Sequence, residues 1–343
     1  MNVLPRLSPI DSVTKETRAY LAALSSSQYS GDIEVTYGSR LAFATDNSIY
    51  QQLPQAVVMP KNIADLQLIA KTASAQTDND TPAITFSARG GGTGTNGQSL
   101  TPGIVVDTSR YMNQILELNL SEQWVRVEAG VIKDVLNDFL RPHGYFFCPD
   151  LSTSNRATLG GMISTDASGQ GSLVYGKTSD HLLGLETVLA SGERLTTHPI
   201  SIEEAHEKAN QETTVGGIYR QILITCVTKR GEILAKFPRL NRFLTGYDLE
   251  HAFDDIENKI DAGRLIAGAE GSLGFIAEAK LNITRIPKHT TLVNIKYDKF
   301  ESALRHAPSM IAANATSVET VDSKVLNLAR ADLVWHSVSA LIS

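Results

Sequence analysis

Two stretches of this sequence have the residue types and spacing of a phosphate-binding loop, and the first of them admits two different readings. Gly92-Thr93-Gly94-Thr95-Asn96-Gly97 satisfies the dinucleotide fingerprint G-x-G-x-x-G. That chemistry needs a strand before the loop and a helix opening after it, because the helix N-terminus holds the pyrophosphate. The apolar run Ala83–Phe86 supplies a strand, but Gln98 to Gly103 leads into another strand, Gly103–Asp107, so the helix is absent from the pattern. Gly171-Ser172-Leu173-Val174-Tyr175-Gly176-Lys177-Thr178 matches the P-loop pattern in full. A P-loop lies between a buried strand and a helix that starts at its lysine. Here the preceding residues, Met162 to Gln170, are small and polar, and the residues after Thr178 read as a hairpin, so a nucleotide triphosphatase is a remote alternative. The third reading takes Arg89-Gly90-Gly91-Gly92-Thr93-Gly94 as a backbone nest. Successive glycines can turn their N–H groups inward around a diphosphate without side chains in the way. Ser87, Thr93, Thr95 and Ser99 add hydroxyl donors.

The elements that must position this loop can be read from apolar spacing. Ser12 is the expected N-cap of a helix to Ala23, within an N-terminal lead-in of residues 1–50. Gln55–Pro60 is a short buried strand, and Asn62 caps a helix whose face carries Ile63, Leu66, Ile69 and Ala70. With the strands Ala83–Phe86 and Gly103–Asp107 this makes a small α/β unit. Trp124–Glu128 alternates as a strand, and Ile132–Leu140 reads as a helix. Leu159–Ser168 is merely small and Gly-rich. Leu183–Ala190 and Glu193–Thr196 form a hairpin about Ser191-Gly192. Gly216–Thr228 reads as helix, and Ile276–Ile286 as a strand that Pro287 ends. After Pro287 the expected order is strand Thr291–Tyr297, helix Phe300–Ala313, strand Ala315–Val321 and helix Ser323–Arg330. A lone β-α-β unit leaves one sheet face without partners, so residues 288–343 read as the start of a second domain, cut short.

Composition narrows the function classes. A net charge of -6, with no clustered Lys or Arg, excludes a nucleic-acid surface. Two cysteines, Cys148 and Cys226, are too few for a disulfide framework or an iron–sulfur cluster within the chain. The eight histidines include no i, i+4 pair, so no metal site is expected. The first residues are too short in apolar length for a secretory segment, and no run is long enough to span a bilayer.

The order of motifs resembles the FAD-binding domain of the p-cresol methylhydroxylase/vanillyl-alcohol oxidase (PCMH-type) family. Pro54–Pro60 is similar to its opening strand, and Arg89–Gly94 to its diphosphate loop. Pro149-Asp150 with Thr158–Ser164 resembles its second cofactor segment. Tyr175-Gly176, Asp180 and Gly184–Gly192 resemble the strand pair that comes next, and Glu270–Ile276 the closing motif. The resemblance spans roughly residues 35 to 290 and absorbs the P-loop match into the Tyr175-Gly176 segment. It implies an α+β fold: a PCMH-type FAD-binding domain of two α/β subdomains over residues 51–287, followed by the start of a ferredoxin-like cap. It implies FAD as cofactor, with Arg89, Gly90, Gly91, Gly92, Thr93, Gly94 and Ser99 at the diphosphate. Pro149, Gly160, Gly161, Ser164, Gly169, Gly176, Asp180 and Ile276 are the implied contacts along the ribityl chain and ring. Members with covalent flavin have a histidine where this chain has Thr93, so non-covalent FAD is implied, and Cys148 reads as a buried thiol.

Within the family, the glycolate-oxidase-like branch fits best, with Val318–Asp322 and Asn327–Trp335 similar to the start of its cap. That branch includes large bacterial FAD-linked enzymes acting on D-2-hydroxyacids such as D-2-hydroxyglutarate or D-lactate. The resemblance thus implies oxidation of a hydroxyacid to a 2-oxoacid, with an electron acceptor left unidentified. It implies a cytoplasmic protein whose acceptor can lie at a membrane. The long members carry a cysteine-rich iron–sulfur region, so the chain is expected to be a fragment without it and without most of the cap. The alternative is an FAD-binding module with no catalytic activity of its own. No catalytic residue is assigned: a lone His181 reads as structural, and Arg40 and Lys324 as surface ion-pairing cations.

Overall fold

The computed structural model describes residues 13–76, 83–240 and 246–341. Helix α1 (Lys15–Ser25) is capped by Thr14, whose hydroxyl accepts the Thr17 N–H at 3.2 Å. The Ser12 cap lies outside the described residues. Strand β1 (Asp32–Glu34) and helix α2 (Tyr37–Ala42) lead to β2 (Ala56–Met59) and α3 (Ile63–Gln76). Strands β3 (Phe86–Arg89) and β4 (Ile104–Asp107) complete a sheet of order β1-β2-β4-β3. β2, β4 and β3 run parallel, and β1 is antiparallel to β2. Every residue of β2 and β4 is buried, as a strand covered on both faces requires. Ala56, Val58, Ile104 and Val106 pack on Tyr20, Leu24, Leu66 and Ile69 of α1 and α3. Val57, Met59 and Val105 pack on the other side against Phe43 and Tyr111.

The second unit opens with β5 (Ile115–Asn119), β6 (Trp124–Glu128), α4 (Lys133–Leu140), β7 (Tyr145–Phe146) and two short helices, α5 (Leu159–Ser164) and α6 (Ser172–Tyr175). The hairpin β8 (Leu182–Val188) and β9 (Arg194–Thr197) turns at Gly192, whose φ of 81° suits glycine. Then come β10 (Ile200–Ser201), α7 (Ile202–Ala209), α8 (Thr214–Ile222), α9 (Arg230–Lys236), β11 (Phe253–Asp254), β12 (Lys259–Ile260) and α10 (Gly263–Ile266). Strand β13 (Phe275–Asn282) inserts between β6 and β8, giving an antiparallel sheet of order β5-β6-β13-β8-β9. Strand β14 (Thr284–Arg285) pairs with β7. Buried residues of α4, α5, α7 and α8 cover this sheet in the larger of the two main cores. Val188 and Ala277 belong instead to the α1–α3 core, which ties the two units together.

Three expectations need correction. The strand before the glycine loop is Phe86–Arg89, not Ala83–Phe86, because its ladder partner is Ile104–Asp107. Leu159–Ser164 is a helix, capped by Thr158 and held by the burial of Leu159, Met162 and Ile163. Thr291–Tyr297 and Ala315–Val321 form no strand: extended backbone needs a ladder partner, and the described residues give them none. The helices α11 (Phe300–Ala312), α12 (Ser323–Arg330) and α13 (Trp335–Val338) do form, with no buried residue in any of them.

Candidate FAD-binding cleft

A cleft of about 380 Å³ lies between the two units. One wall is the chain leaving β3, residues 88–95, with Gln98 and Ser99. The other wall is Ala157–Thr158, the exposed side of α5, Ala167 and Ser168, and the floor is closed by Gly274–Ile276 at the start of β13. A second cavity of about 680 Å³ adjoins it, sharing Ala88, Gln98, Glu270, Gly271, Gly274 and Phe275. Its remaining lining is largely apolar, with Ala70, Ala73, Ile84, Phe86, Leu100 and Val188 among it. Through the residues they share, the two make one continuous trough.

The glycine run serves the trough in two ways. A Cβ on Gly90 would collide with Oγ1 of Thr158, and one on Gly91 with the carbonyl oxygen of Arg156. Those glycines let the loop lie flat against the segment leading into α5. Gly92 takes φ 60°, which favours glycine. Among the described residues the amides of residues 91–95 donate to no backbone carbonyl. This run of unspent N–H groups on the first cavity fits a diphosphate. Gly160 packs against Ala129, where an added methyl would clash, whereas a methyl on Gly161 would meet only Oγ1 of Thr158 at 3.3 Å.

Arg89 lines the cleft but its guanidinium is engaged elsewhere. It donates to the carbonyls of Phe43 at 3.2 Å and Thr45 at 2.7 Å and lies over the Phe43 ring. Burial pulls its pKa below the ordinary value, opposed by the charges of Asp46 and Asp107. Ser99 donates to Asp46 at 3.0 Å, so its hydroxyl is also committed. Burial pushes the Asp107 carboxyl up, against the pull of Ser109 and Arg89.

Of the residues expected at the cofactor, the structure brings Arg89, Gly90, Gly91, Gly92, Thr93, Gly94, Ser99, Gly160, Gly161, Ser164 and Ile276 onto this one cleft. Pro149, Gly169, Gly176 and Asp180 are not on its lining. A Cβ on Gly169 would strike the Asp150 carbonyl, and one on Gly176 the Asp180 carboxylate, so both serve packing. Asp180 accepts the Lys177 N–H at 3.0 Å and pairs with Arg264 at 3.1 Å. Burial raises its pKa, and those partners outweigh burial and hold it below the ordinary value. His181 is buried between the Asn282 side chain and the Tyr175 carbonyl, at 2.5 and 2.6 Å. Arg40 is buried, not on the surface, and donates to the Pro54 carbonyl at 3.2 Å. Lys324 is exposed. Cys148 is buried off the cleft, and burial raises its thiol pKa. The P-loop context is absent: Lys177 turns into a buried ion pair with Asp166, and a single 3₁₀ turn, Thr178–His181, comes after it. The second cavity has no signature of its own in the sequence: α3 gives it Ala70, Ala73 and Ser74 and β8 gives it Val188, residues brought there by packing. Thr158 and Gly271 also line the cleft, and both lie inside motifs that the sequence does mark.

Comparison with known proteins matches the FAD binding domain model over residues 54–198 and the C-terminal domain model of FAD linked oxidases over 286–342. Residues 54–198 thus match an FAD binding domain and residues 286–342 the C-terminal domain of FAD linked oxidases, in the order that the PCMH-type resemblance implies. The cofactor of the chain is accordingly FAD. The D-2-hydroxyglutarate dehydrogenase of Escherichia coli K12 is 56% identical over 99% of this chain and 33% of its own length. That of Pantoea ananatis is 56% identical over the whole chain and 33% of its own length. The chain thus spans about a third of the length of these relatives. The glycolate oxidase subunit GlcD of Bacillus subtilis is 26% identical over 92% of this chain and 55% of its own. Among solved structures, alkyldihydroxyacetonephosphate synthase superposes with a TM-score of 0.54 at 17% identity, covering 79% of this chain and 41% of that one. This last likeness is one of fold.

Proposed function

We propose that this chain is the cofactor-holding part of an FAD-dependent D-2-hydroxyacid dehydrogenase, with D-2-hydroxyglutarate as the substrate. The observation that carries the reading is the trough, joined to the 56% identity with D-2-hydroxyglutarate dehydrogenases across the whole chain. When bound, FAD supplies the two-electron chemistry, taking a hydride from the substrate α-carbon while the hydroxyl proton leaves and a 2-oxoacid forms. The residues of the chain bind and orient. The unspent amides of residues 91–95 hold the diphosphate, and Thr93 and Thr95 add hydroxyl donors. Gly160, Gly161, Ser164 and Ile276 shape the groove beyond it. Thr93 offers no nucleophile suited to a flavin linkage and Cys148 is off the cleft, so the cofactor is held without a covalent bond.

A hydroxyacid also needs a cation for its carboxylate, ideally a bidentate arginine. Among the described residues lining the cleft, Arg89 is the only cation, and two of its donors are spent on Phe43 and Thr45. This favours a second statement: the chain by itself binds FAD yet lacks a substrate clamp. The domain division at residues 287 and 288, and the identity of the electron acceptor, belong to the same proposal. The test is anaerobic addition of D-2-hydroxyglutarate to the FAD-loaded chain and, in parallel, to the full-length protein that contains it. The expected result is bleaching of the oxidised flavin in the full protein and little or none in the chain alone. A full protein that leaves the flavin oxidised sinks the substrate assignment.

A further inference from the structure

The lysine that completes the P-loop pattern has no phosphate role in this fold, and its actual surroundings suggest another. Lys177 is 4% exposed, and its ammonium lies 2.5 Å from Oδ2 of Asp166 and 4.0 Å from Oδ2 of Asp248. Asp166 is also buried, and its other oxygen accepts the Ser179 N–H at 2.8 Å. The Ser179 hydroxyl adds a bond to Oδ2 at 3.1 Å. Asp248 is in turn held by Nδ1 of His251 at 2.9 Å. Burial raises the Asp248 carboxyl, and the His251 bond and charge, with Lys177 behind them, outweigh burial and hold it below its ordinary value.

What makes this cluster more than a core ion pair is where Asp166 sits. Its φ is 47°, a left-handed conformation uncommon for a residue with a side chain. It stands directly between Thr165 and Ala167, and both line the cleft, as does Ser168 beyond them. The turn at Asp166 ends α5 and sets where this wall lies. The backbone is fixed on both sides: Ala167 donates to the Met162 carbonyl at 2.8 Å and accepts from Thr178, whose hydroxyl approaches to 2.6 Å. A buried carboxylate without its cation is costly, so removing Lys177 would leave Asp166 with only the Ser179 donors, whereas Asp248 keeps His251.

We propose that Lys177 is a positioning residue for the cofactor cleft, acting through Asp166 to hold the Ser164–Ser168 wall where bound FAD needs it. The proposal rests on the FAD reading of the cleft. It deepens that reading by assigning a residue outside the lining to cofactor affinity. The effect is carried by one left-handed turn whose carboxylate has Lys177 as its cation, so loss of Lys177 loosens that part of the wall.

The test is titration of the apo-protein with FAD, followed by flavin fluorescence quenching and the visible circular dichroism of the bound flavin. Thermal unfolding of each apo variant is recorded alongside. Lys177→Met should weaken FAD binding on the order of tenfold, the scale on which supports behind ligand-contacting groups act, and should alter the flavin dichroism. Lys177→Met combined with Asp166→Asn should weaken binding by less than the sum of the single effects, because both act on one carboxylate. Ser179→Ala removes one donor to that carboxylate without stranding a charge. It should weaken binding in the same direction and decides the matter if Lys177→Met fails to fold. Variants that melt earlier yet bind FAD with wild-type affinity and dichroism overturn the proposal and leave the FAD reading intact. A folded wild-type chain that does not bind FAD overturns both.

Discussion

At the scale of the residue, the glycines of the cleft divide into those that serve packing and those that leave room for a ligand. Gly160 and Gly161 are adjacent in sequence and differ in this respect. Gly160 faces Ala129, and Gly160→Ala forces two carbons into contact, which costs about 1–3 kcal/mol of overpacking. Gly161 is exposed on the cleft side of α5, so Gly161→Leu should leave the melting temperature of the apo-protein nearly unchanged while abolishing FAD retention. The pair is checked by thermal unfolding and FAD titration, and a Gly161→Leu protein that binds FAD normally contradicts the placement. Arg89 teaches a related lesson. The family resemblance implies it as a diphosphate contact, within a loop whose sequence reads as a backbone nest. In the structure its guanidinium braces the segment after α2 through two carbonyls. Side-chain direction was not legible from the string, because the partners that claim it are 44 and 46 residues away.

At the scale of the element, legibility tracked the strength of the local pattern. The alternation of Trp124–Glu128 and of Ile276–Ile286, the apolar runs of β2 and β4, and the Ser191-Gly192 turn all marked elements that form, the second as the two strands Phe275–Asn282 and Thr284–Arg285. Helix α5 was hidden by its composition, Leu-Gly-Gly-Met-Ile-Ser, which has low helix propensity. It exists because Leu159, Met162 and Ile163 are buried against the sheet and Thr158 caps its start, facts of tertiary packing. The strands expected at 291–297 and 315–321 fail for the converse reason: local β-propensity alone does not form a ladder. The central element is β13, flanked by β6 and β8 and supplying Ile276 to the cleft floor. Leu281→Ala, at a fully buried position of β13, should cost about 2–5 kcal/mol of stability, measured by denaturant unfolding. A cost near zero would mean that β13 is not the keystone of this sheet.

At the scale of the whole molecule, the proposed cofactor site belongs to neither unit alone. The glycine loop is presented by a parallel sheet, α5 and the closing motif by an antiparallel one, and the trough is the seam between them. Three of the family motifs, Arg89–Gly94, Thr158–Ser164 and Glu270–Ile276, revealed the walls, whereas Pro149-Asp150 and the Tyr175-Gly176 segment lie off the lining. The order of motifs did not reveal the second cavity of the trough, to which α3, β3 and β8 contribute by packing. A ligand that spans such a seam stabilises the folded state by mass action, by about 2.7 kcal/mol at a hundred times its Kd. The measurement that tests the central claim most directly is the visible absorption spectrum of the purified chain after loading with FAD and desalting, taken before and after acid precipitation. The expected result is flavin bands on the protein that pass entirely into the supernatant, because FAD is held by backbone amides and shape. A folded chain that emerges colourless from desalting would contradict the claim that this trough holds FAD, and colour that stays in the pellet would contradict non-covalent binding.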